Sequence, residues 1–161
     1  MKKELDEALC AKYPKIFKDR HGDMKETLMC WGFECGDGWY QVLDSLCGNI
    51  QNHIDWSHKN HEWDLKWNAE HANEQRTVRE IVEQVVAVQV KEKFGGLRFY
   101  YEGGNEQVYG MVRMAESWAA VTCETCGAPG KSRSGGWIRT LCDKHEDEYQ
   151  ERNLLRQGLE G

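Results

Sequence analysis

The chain has 161 residues, 40% of them hydrophobic and 30% charged, a profile typical of one to one and a half globular domains. No apolar run exceeds four residues, and residues 1–7 carry acids where a secretory signal has its apolar region, so neither a membrane span nor such a signal is predicted. The formal net charge of −6 disfavours nucleic acid and anionic membranes as partners, since both are bound through phosphates, and favours a basic surface. Residues 1–75 are the acidic part, with 9 basic and 14 acidic side chains, whereas residues 76–101 are mildly basic.

Two helices are predicted in the first half of the chain. Residues 2–13 form a short helix that Pro14 ends. A turn-rich segment follows at residues 30–38, where Asp37 is expected to cap a helix that begins near Trp39. The apolar residues of this second helix recur at helical spacing: Trp39, Val42, Leu43, Leu46, Ile50 and Ile54.

Residues 57–75 are polar apart from Trp63 and Trp67, and the pattern leaves open whether they form a helical turn or an ordered loop. The nearby His53, His58, His61 and Glu62 suggest a metal site or a general base, but their spacing does not place them on one helical face, which favours a polar loop.

Alternating residues at 84–92 and 97–101 predict a β-hairpin that turns at residues 94–96. In the first strand Val86, Val88 and Val90 are expected to share one face. In the second strand, alternation places one set of side chains inward and the other outward; the inward set is Leu97, Phe99 and Tyr101, and the outward set is Arg98 and Tyr100.

Asn105 is a potential N-cap for a further amphipathic helix, whose apolar side comprises Val108, Met111, Val112, Ala115, Trp118 and Ala119. Together these elements predict an α+β domain over residues 1–120, in which amphipathic helices cover a small antiparallel hairpin sheet.

The strongest motif lies in residues 121–161, where Cys123, Cys126, Cys142 and His145 follow the pattern C-x2-C-x15-C-x2-H. Seven cysteines in a chain with no predicted secretory signal indicate metal binding in the cytoplasm rather than disulfides. Three thiolates and one imidazole suit a single tetrahedral Zn²⁺, and four protein ligands are typical of a structural site.

The order of knuckle, short hairpin over residues 132–140 and helix resembles a treble-clef zinc finger, which would make residues 121–161 a separate zinc-binding module. Treble clefs also occur in HNH nucleases, whose catalytic ion is held by a separate His and Asn or second His. Residues 131–140 contain neither residue type, so the sequence predicts no enzyme, and nuclease activity remains the alternative.

The other cysteines form a weaker pattern. Cys10, Cys30, Cys35 and Cys47 leave a second metal site open, but their spacing is loose, and buried or surface thiols are the preferred interpretation.

Two basic stretches are candidates for binding a partner or ligand. One is the hairpin with Arg98 and Tyr100, and the other is a local cluster of positive charge without acids, formed by Lys131, Arg133 and Arg139 around Trp137. A solvated strand face remains the simpler interpretation of both.

Residues 35–40, 90–100 and 135–142 together resemble segments of small bacteriophage and prophage proteins that end in the same Cys-x2-Cys…Cys-x2-His element. The resemblance covers residues 30–148 and implies an accessory protein of a mobile element, acting in the bacterial cytoplasm; it carries no activity with it.

The function expected is binding of a larger host protein or complex, with inhibition of host or defence machinery as one form. A nucleic-acid-binding zinc finger and a small-ligand binder, for instance of a nucleotide held by Arg98 and Arg139, are the alternatives.

Overall fold

The computed structural model describes residues 1–159, in which helices pack around a three-stranded sheet and a two-stranded ribbon follows. This arrangement confirms the α+β class. The helices are α1 (Lys3–Lys12), α2 (Tyr40–Glu70), α3 (Glu106–Ala119) and α4 (Asp143–Leu159), and the strands are β1 (Phe33–Glu34), β2 (Val86–Lys93), β3 (Gly96–Glu102), β4 (Lys131–Arg133) and β5 (Arg139–Leu141). Over this range, no helix has the length and apolar character needed to cross a bilayer.

Helix α2 is much longer than its apolar stripe. The stripe predicted from Trp39 to Ile54 is buried in the core, which confirms it. The helix then continues through Glu70 over residues that the sequence left open. The prediction of a polar loop around His58 and His61 is therefore wrong.

Residues 71–82 run back along the second half of α2 and explain why this polar segment is helical. Arg79 donates from Nε and Nη2 to the two carboxylate oxygens of the buried Asp64, at 2.7 and 2.8 Å. The guanidinium carbon of Arg76 lies 4.7 and 3.9 Å from the ring centroids of Trp63 and Trp67, at cation–π distance. Because these partners come from a distant part of the chain, periodicity within the helix does not predict them.

The β2–β3 hairpin turns where predicted, and β1 adds a short parallel strand that the sequence did not indicate. Phe33 of β1 lies opposite Val90 of β2. The buried carboxylate of Asp6 holds β1 in place, because it accepts from the backbone N–H of Phe33 and from the guanidinium of Arg20.

A β-bulge in β2 overturns the predicted face of valines. The register shifts between Ala87 and Gln89, so that Ala87 and Val90 are both buried while Val86 and Val88 are only half-buried. A bulge inserts one unpaired residue and reverses the alternation beyond it, and a simple period of two cannot show this.

The register of β3 is confirmed, since Leu97 and Phe99 are buried and Tyr101 packs against the core. Arg98 is half-buried and Tyr100 is exposed.

The two predicted caps have opposite outcomes. The side chain of Asn105 accepts from the N–H of Val108 at 3.1 Å and caps α3 as expected. Asp37 caps no helix, because its carboxylate accepts from the backbone N–H of Lys2 at 2.7 Å.

Candidate metal centre

Cys123, Cys126, Cys142 and His145 are brought together, with all their ligand atoms within 4.8 Å of one another. His145 Nδ1 lies 3.2 Å from Cys142 Sγ and 3.6 Å from Cys123 Sγ, and the sulfurs of Cys126 and Cys142 are 3.9 Å apart. The group predicted from spacing could therefore hold one metal ion. Across residues 1–159 it is the only set of three or more His, Cys, Asp or Glu side chains placed to do so.

The local backbone favours the thiolate form of Cys123. A turn after Cys123 is closed by a 2.8 Å hydrogen bond from the N–H of Gly127 to the Cys123 carbonyl. Burial alone would raise the pKa of the Cys123 thiol, but hydrogen bonds from the backbone N–H groups of Cys142, Cys126 and Thr125 outweigh burial and lower the pKa to about 6. The thiolate is the form of cysteine that binds metals, so these amides favour the ligating state.

Helix α4 positions the second pair of ligands, since Cys142 directly precedes it and His145 lies in its first turn. The other ring nitrogen of His145, Nε2, is 3.8 Å from a carboxylate oxygen of Glu148. A carboxylate on the far side of a ligating imidazole orients the ring toward the ion.

The loop that precedes α2 packs directly on the Cys123–Cys126 turn. The N–H of Gly38 donates to the Glu124 carbonyl at 2.8 Å, and that of Gly36 donates to the Glu124 carboxylate at 2.9 Å. A Cβ atom at Gly38 would overlap the Cys123 carbonyl oxygen, and one at Gly36 would overlap that of Glu124. The sequence indicated only a turn here; the structure shows that the loop packs against the Cys123–Cys126 turn.

The β4–β5 ribbon contacts the tip of the β2–β3 hairpin. The buried hydroxyl of Thr140 donates to the Gly95 carbonyl at 2.6 Å. A Cβ atom at Gly95 would lie 3.0 Å from Ile138 Cγ2 and 3.3 Å from the Arg139 backbone. The tip of the β2–β3 hairpin thus contacts the ribbon that precedes Cys142.

Helix α4 places one acid, Asp143, beside the basic cluster that the sequence indicated on the β4–β5 ribbon. Arg133 Nη2 donates to Asp143 Oδ1 at 2.6 Å, and Lys131 Nζ lies 3.3 Å from the same oxygen. The guanidinium of Arg139 lies 4.4 Å above the ring of Tyr149. Helix α4 supplies these partners, and Trp137 is exposed beside them, so the role of the ribbon in binding stays a prediction.

The remaining cysteines are not gathered into a second cluster within the described residues. Burial raises the pKa of the Cys35 thiol to about 12, and burial, followed by the nearby Asp6, does the same for Cys10. Burial also raises the pKa of Cys47. These thiols are therefore protonated at neutral pH, as unligated structural cysteines are.

Comparisons with protein families, with curated proteins and with solved structures find no match to this chain. Function is therefore inferred from the geometry of the site and from the chemistry of the surface.

Proposed function

We propose that the chain is a non-catalytic binding protein whose C-terminal segment is stabilised by one structural Zn²⁺. Tetrahedral zinc, with Zn–S of about 2.3 Å and Zn–N of about 2.0–2.1 Å, separates two sulfurs by about 3.8 Å and a sulfur from a nitrogen by about 3.6 Å. The Cys126–Cys142 and Cys123–His145 distances, 3.9 and 3.6 Å, match these separations, while the Cys142–His145 distance of 3.2 Å is shorter. Four protein ligands would fill such a tetrahedron and leave no position for water or substrate, and the gathering of these four groups within 4.8 Å carries the proposal.

The order of elements supports a treble-clef interpretation of residues 121–161. The Cys123–Cys126 turn is followed by the β4–β5 ribbon and then by α4, which contributes the remaining ligand pair at its start. The residues that an HNH nuclease uses to hold its catalytic ion are lacking from the sequence of 131–140, which supports a structural role.

The partner proposed is a larger host protein or complex in the bacterial cytoplasm, consistent with the bacteriophage resemblance and with an inhibitory role. A groove of about 410 Å³ between α2 and α3 supports a protein partner, because its lining is almost entirely apolar. Met114 and Trp118, on one wall of the groove, are both exposed, and aromatic residues and Met are enriched at protein interfaces.

Elemental analysis of protein purified without added metal tests the zinc assignment, with one zinc per chain expected. A Cys123→Ser/Cys142→Ser variant should lose the ion, whereas Cys30→Ser, outside the cluster, should keep it. Zinc retained at full occupancy in the double variant, or a different metal in the native chain, would overturn the assignment.

Affinity purification from the bacterial host tests the partner. A protein that binds in the α2–α3 groove should be lost with Met114→Glu and kept with Trp31→Ala, which removes an exposed Trp elsewhere. A captured protein that is retained by Met114→Glu would contradict the groove as its binding surface. Metal-dependent cleavage of DNA or RNA that one substitution in this chain abolishes would replace the binding proposal with the nuclease alternative.

A further inference from the structure

The tips of the two hairpins, far apart in sequence, enclose a surface cleft of about 500 Å³. The hydrogen bond between Thr140 and Gly95 fixes one hairpin against the other beside this cleft. Its walls are aromatic, aliphatic and basic: Lys91, Glu92, Lys93, Phe94, Gly136, Trp137 and Ile138. A volume of this size matches common small-ligand sites.

Phe94 occupies a backbone conformation that phenylalanine disfavours. Its φ of 53° places it in the left-handed region, at the two-residue turn that it forms with Gly95, where Asn, Asp or Gly are preferred. The side chain is 71% exposed, so it adds little to the core in return. An aromatic ring displayed at such a conformational cost points to a role for the ring itself.

Trp137 displays a second aromatic ring on the ribbon side of the same cleft and is 64% exposed. The ring therefore has most of its surface available to a ligand. Flat aromatic faces exposed in this way are the platforms on which unpaired nucleobases stack.

Cations accompany the rings. Lys91 Nζ lies 5.6 Å from the Tyr100 ring centroid, and Lys93 Nζ lies 5.5 Å from that of Phe94. Neither lysine forms a salt bridge with any residue in the described part of the chain. The one acid of the cleft, Glu92, accepts a hydrogen bond from the Gly95 N–H at 2.6 Å, so its charge is partly compensated locally.

We propose that this cleft binds single-stranded nucleic acid, with bases stacked on Phe94 and Trp137 and phosphates on Lys91 and Lys93. The two lysines are two residues apart on one strand, a separation of roughly 6.6 Å along β2, which suits successive phosphates of an extended strand. A duplex would keep its bases stacked and unavailable to the rings, and an acidic protein surface would use the lysines without needing two displayed aromatic faces. The inference rests on the proposed function only in that the chain binds without cleaving.

The test is fluorescence anisotropy of the full metal-loaded chain with labelled oligo(dT) and oligo(U), titrated over a range of salt concentrations. Binding should weaken with salt, with a slope of log K against log salt of about −1.4 for two phosphate contacts. Phe94→Gly should lower the affinity roughly five-fold or more through loss of stacking, and it should leave folding intact because glycine accepts a positive φ. Trp137→Ala should act similarly.

Two control variants distinguish a loss of binding at the cleft from a general effect of removing an aromatic ring or changing the net charge. Lys91→Glu should weaken binding, because it removes a proposed phosphate contact. Lys66→Glu changes the net charge by the same amount outside the cleft, and Trp31→Ala removes an exposed Trp outside the cleft. Lys66→Glu and Trp31→Ala should each bind like the native chain. A gel of the recovered oligonucleotide shows whether the strand is intact. Cleavage would contradict the proposal that the chain is non-catalytic, whether or not the cleft binds the strand.

Absence of binding, tighter binding to duplex than to single strand, or equal affinity in Phe94→Gly and the native chain would each overturn the inference. Retention of an acidic host protein that Lys91→Glu releases, with no oligonucleotide bound, would assign the cleft to a protein partner instead.

Discussion

Gly36 and Gly38 lack side chains at positions where the Cys123–Cys126 turn occupies the space that a Cβ atom would need. The backbone of this loop donates two hydrogen bonds to Glu124, one residue beyond the first ligand. At the scale of single residues, the geometry of the candidate metal centre therefore depends on two glycines that supply no ligand atom.

Gly38→Ala should destabilise the metal-loaded chain by roughly 1–3 kcal/mol, since the new methyl group overpacks a closed contact. It should also speed metal release to a competing chelator, because the turn must shift. Urea unfolding and chelator competition measure the two effects. Gly110→Ala is the matched control: nothing surrounds its Cβ position in α3, so helix propensity predicts stabilisation by about 0.5–1 kcal/mol. Equal effects of the two changes would contradict the close packing at Gly38.

Asp64 predicts a specific pH dependence. Hydrogen bonds from the Arg79 side chain and backbone lower the pKa of Asp64 to about 2, against about 3.9 in an unfolded chain. The interaction of Arg79 with the ionised Asp64 carboxylate stabilises the folded chain above pH 4. This stabilisation is lost as the pH falls toward 2 and the carboxylate is protonated. Asp64→Asn should therefore be less stable than the native chain at pH 6, with the difference shrinking at pH 3, as followed by urea unfolding. A constant difference across that range would contradict the ion pair.

At the scale of elements, the sequence predicts those parts whose partners are local and misses those whose partners are distant. The stripe of α2, the α3 cap and the β3 register follow from periodicity and capping within one segment. The second half of α2 and the two-residue strand β1 are held by Arg79 and Asp6, which lie elsewhere in the chain. The candidate metal ligands are predictable because three cysteines and one histidine at zinc-finger spacing are a typical metal-binding set, whatever the rest of the fold.

The register of β3 gives a test at this scale. Phe99→Ala should cost roughly 3–5 kcal/mol, because it empties a buried aromatic position. Arg98→Ala, on the outer face of the same strand, should change stability by no more than about 0.5 kcal/mol. Chemical denaturation of both variants measures the contrast, and a larger loss from Arg98→Ala would mean that the strand faces are reversed.

At the scale of the whole molecule, the division into residues 1–120 and 121–161 stays a prediction, but hydrogen bonds cross it. Gly38 and Trp39 donate to backbone carbonyls of Glu124 and Thr122, and Thr140 donates to Gly95. Since two of these hydrogen bonds are buried, the segment beyond residue 120 should not unfold independently of the rest.

Removal of the metal should therefore lower the melting temperature of the entire chain in one transition. Metal binding and folding are linked, and the ligands share their hydrogen-bond network with the core. Differential scanning calorimetry with and without chelator measures the shift, and hydrogen exchange shows whether the amides of α2 lose protection together with those of α4. A separate low-temperature transition confined to residues beyond 120 would support an independent module instead.

Trp39 is fully buried, and its indole N–H donates to the Thr122 carbonyl at 2.9 Å, immediately before the first ligand Cys123. An immobilised indole in an asymmetric environment is optically active. The near-ultraviolet circular dichroism of the protein should accordingly contain a contribution from Trp39, beside that of the packed Trp63 and Trp67 rings, whose centroids lie 5.6 Å apart. The difference between the spectra of the native chain and Trp39→Phe isolates the Trp39 contribution. Occupancy of the metal centre can then be followed in solution, without a label, through the optical signal of a side chain more than eighty residues away in sequence.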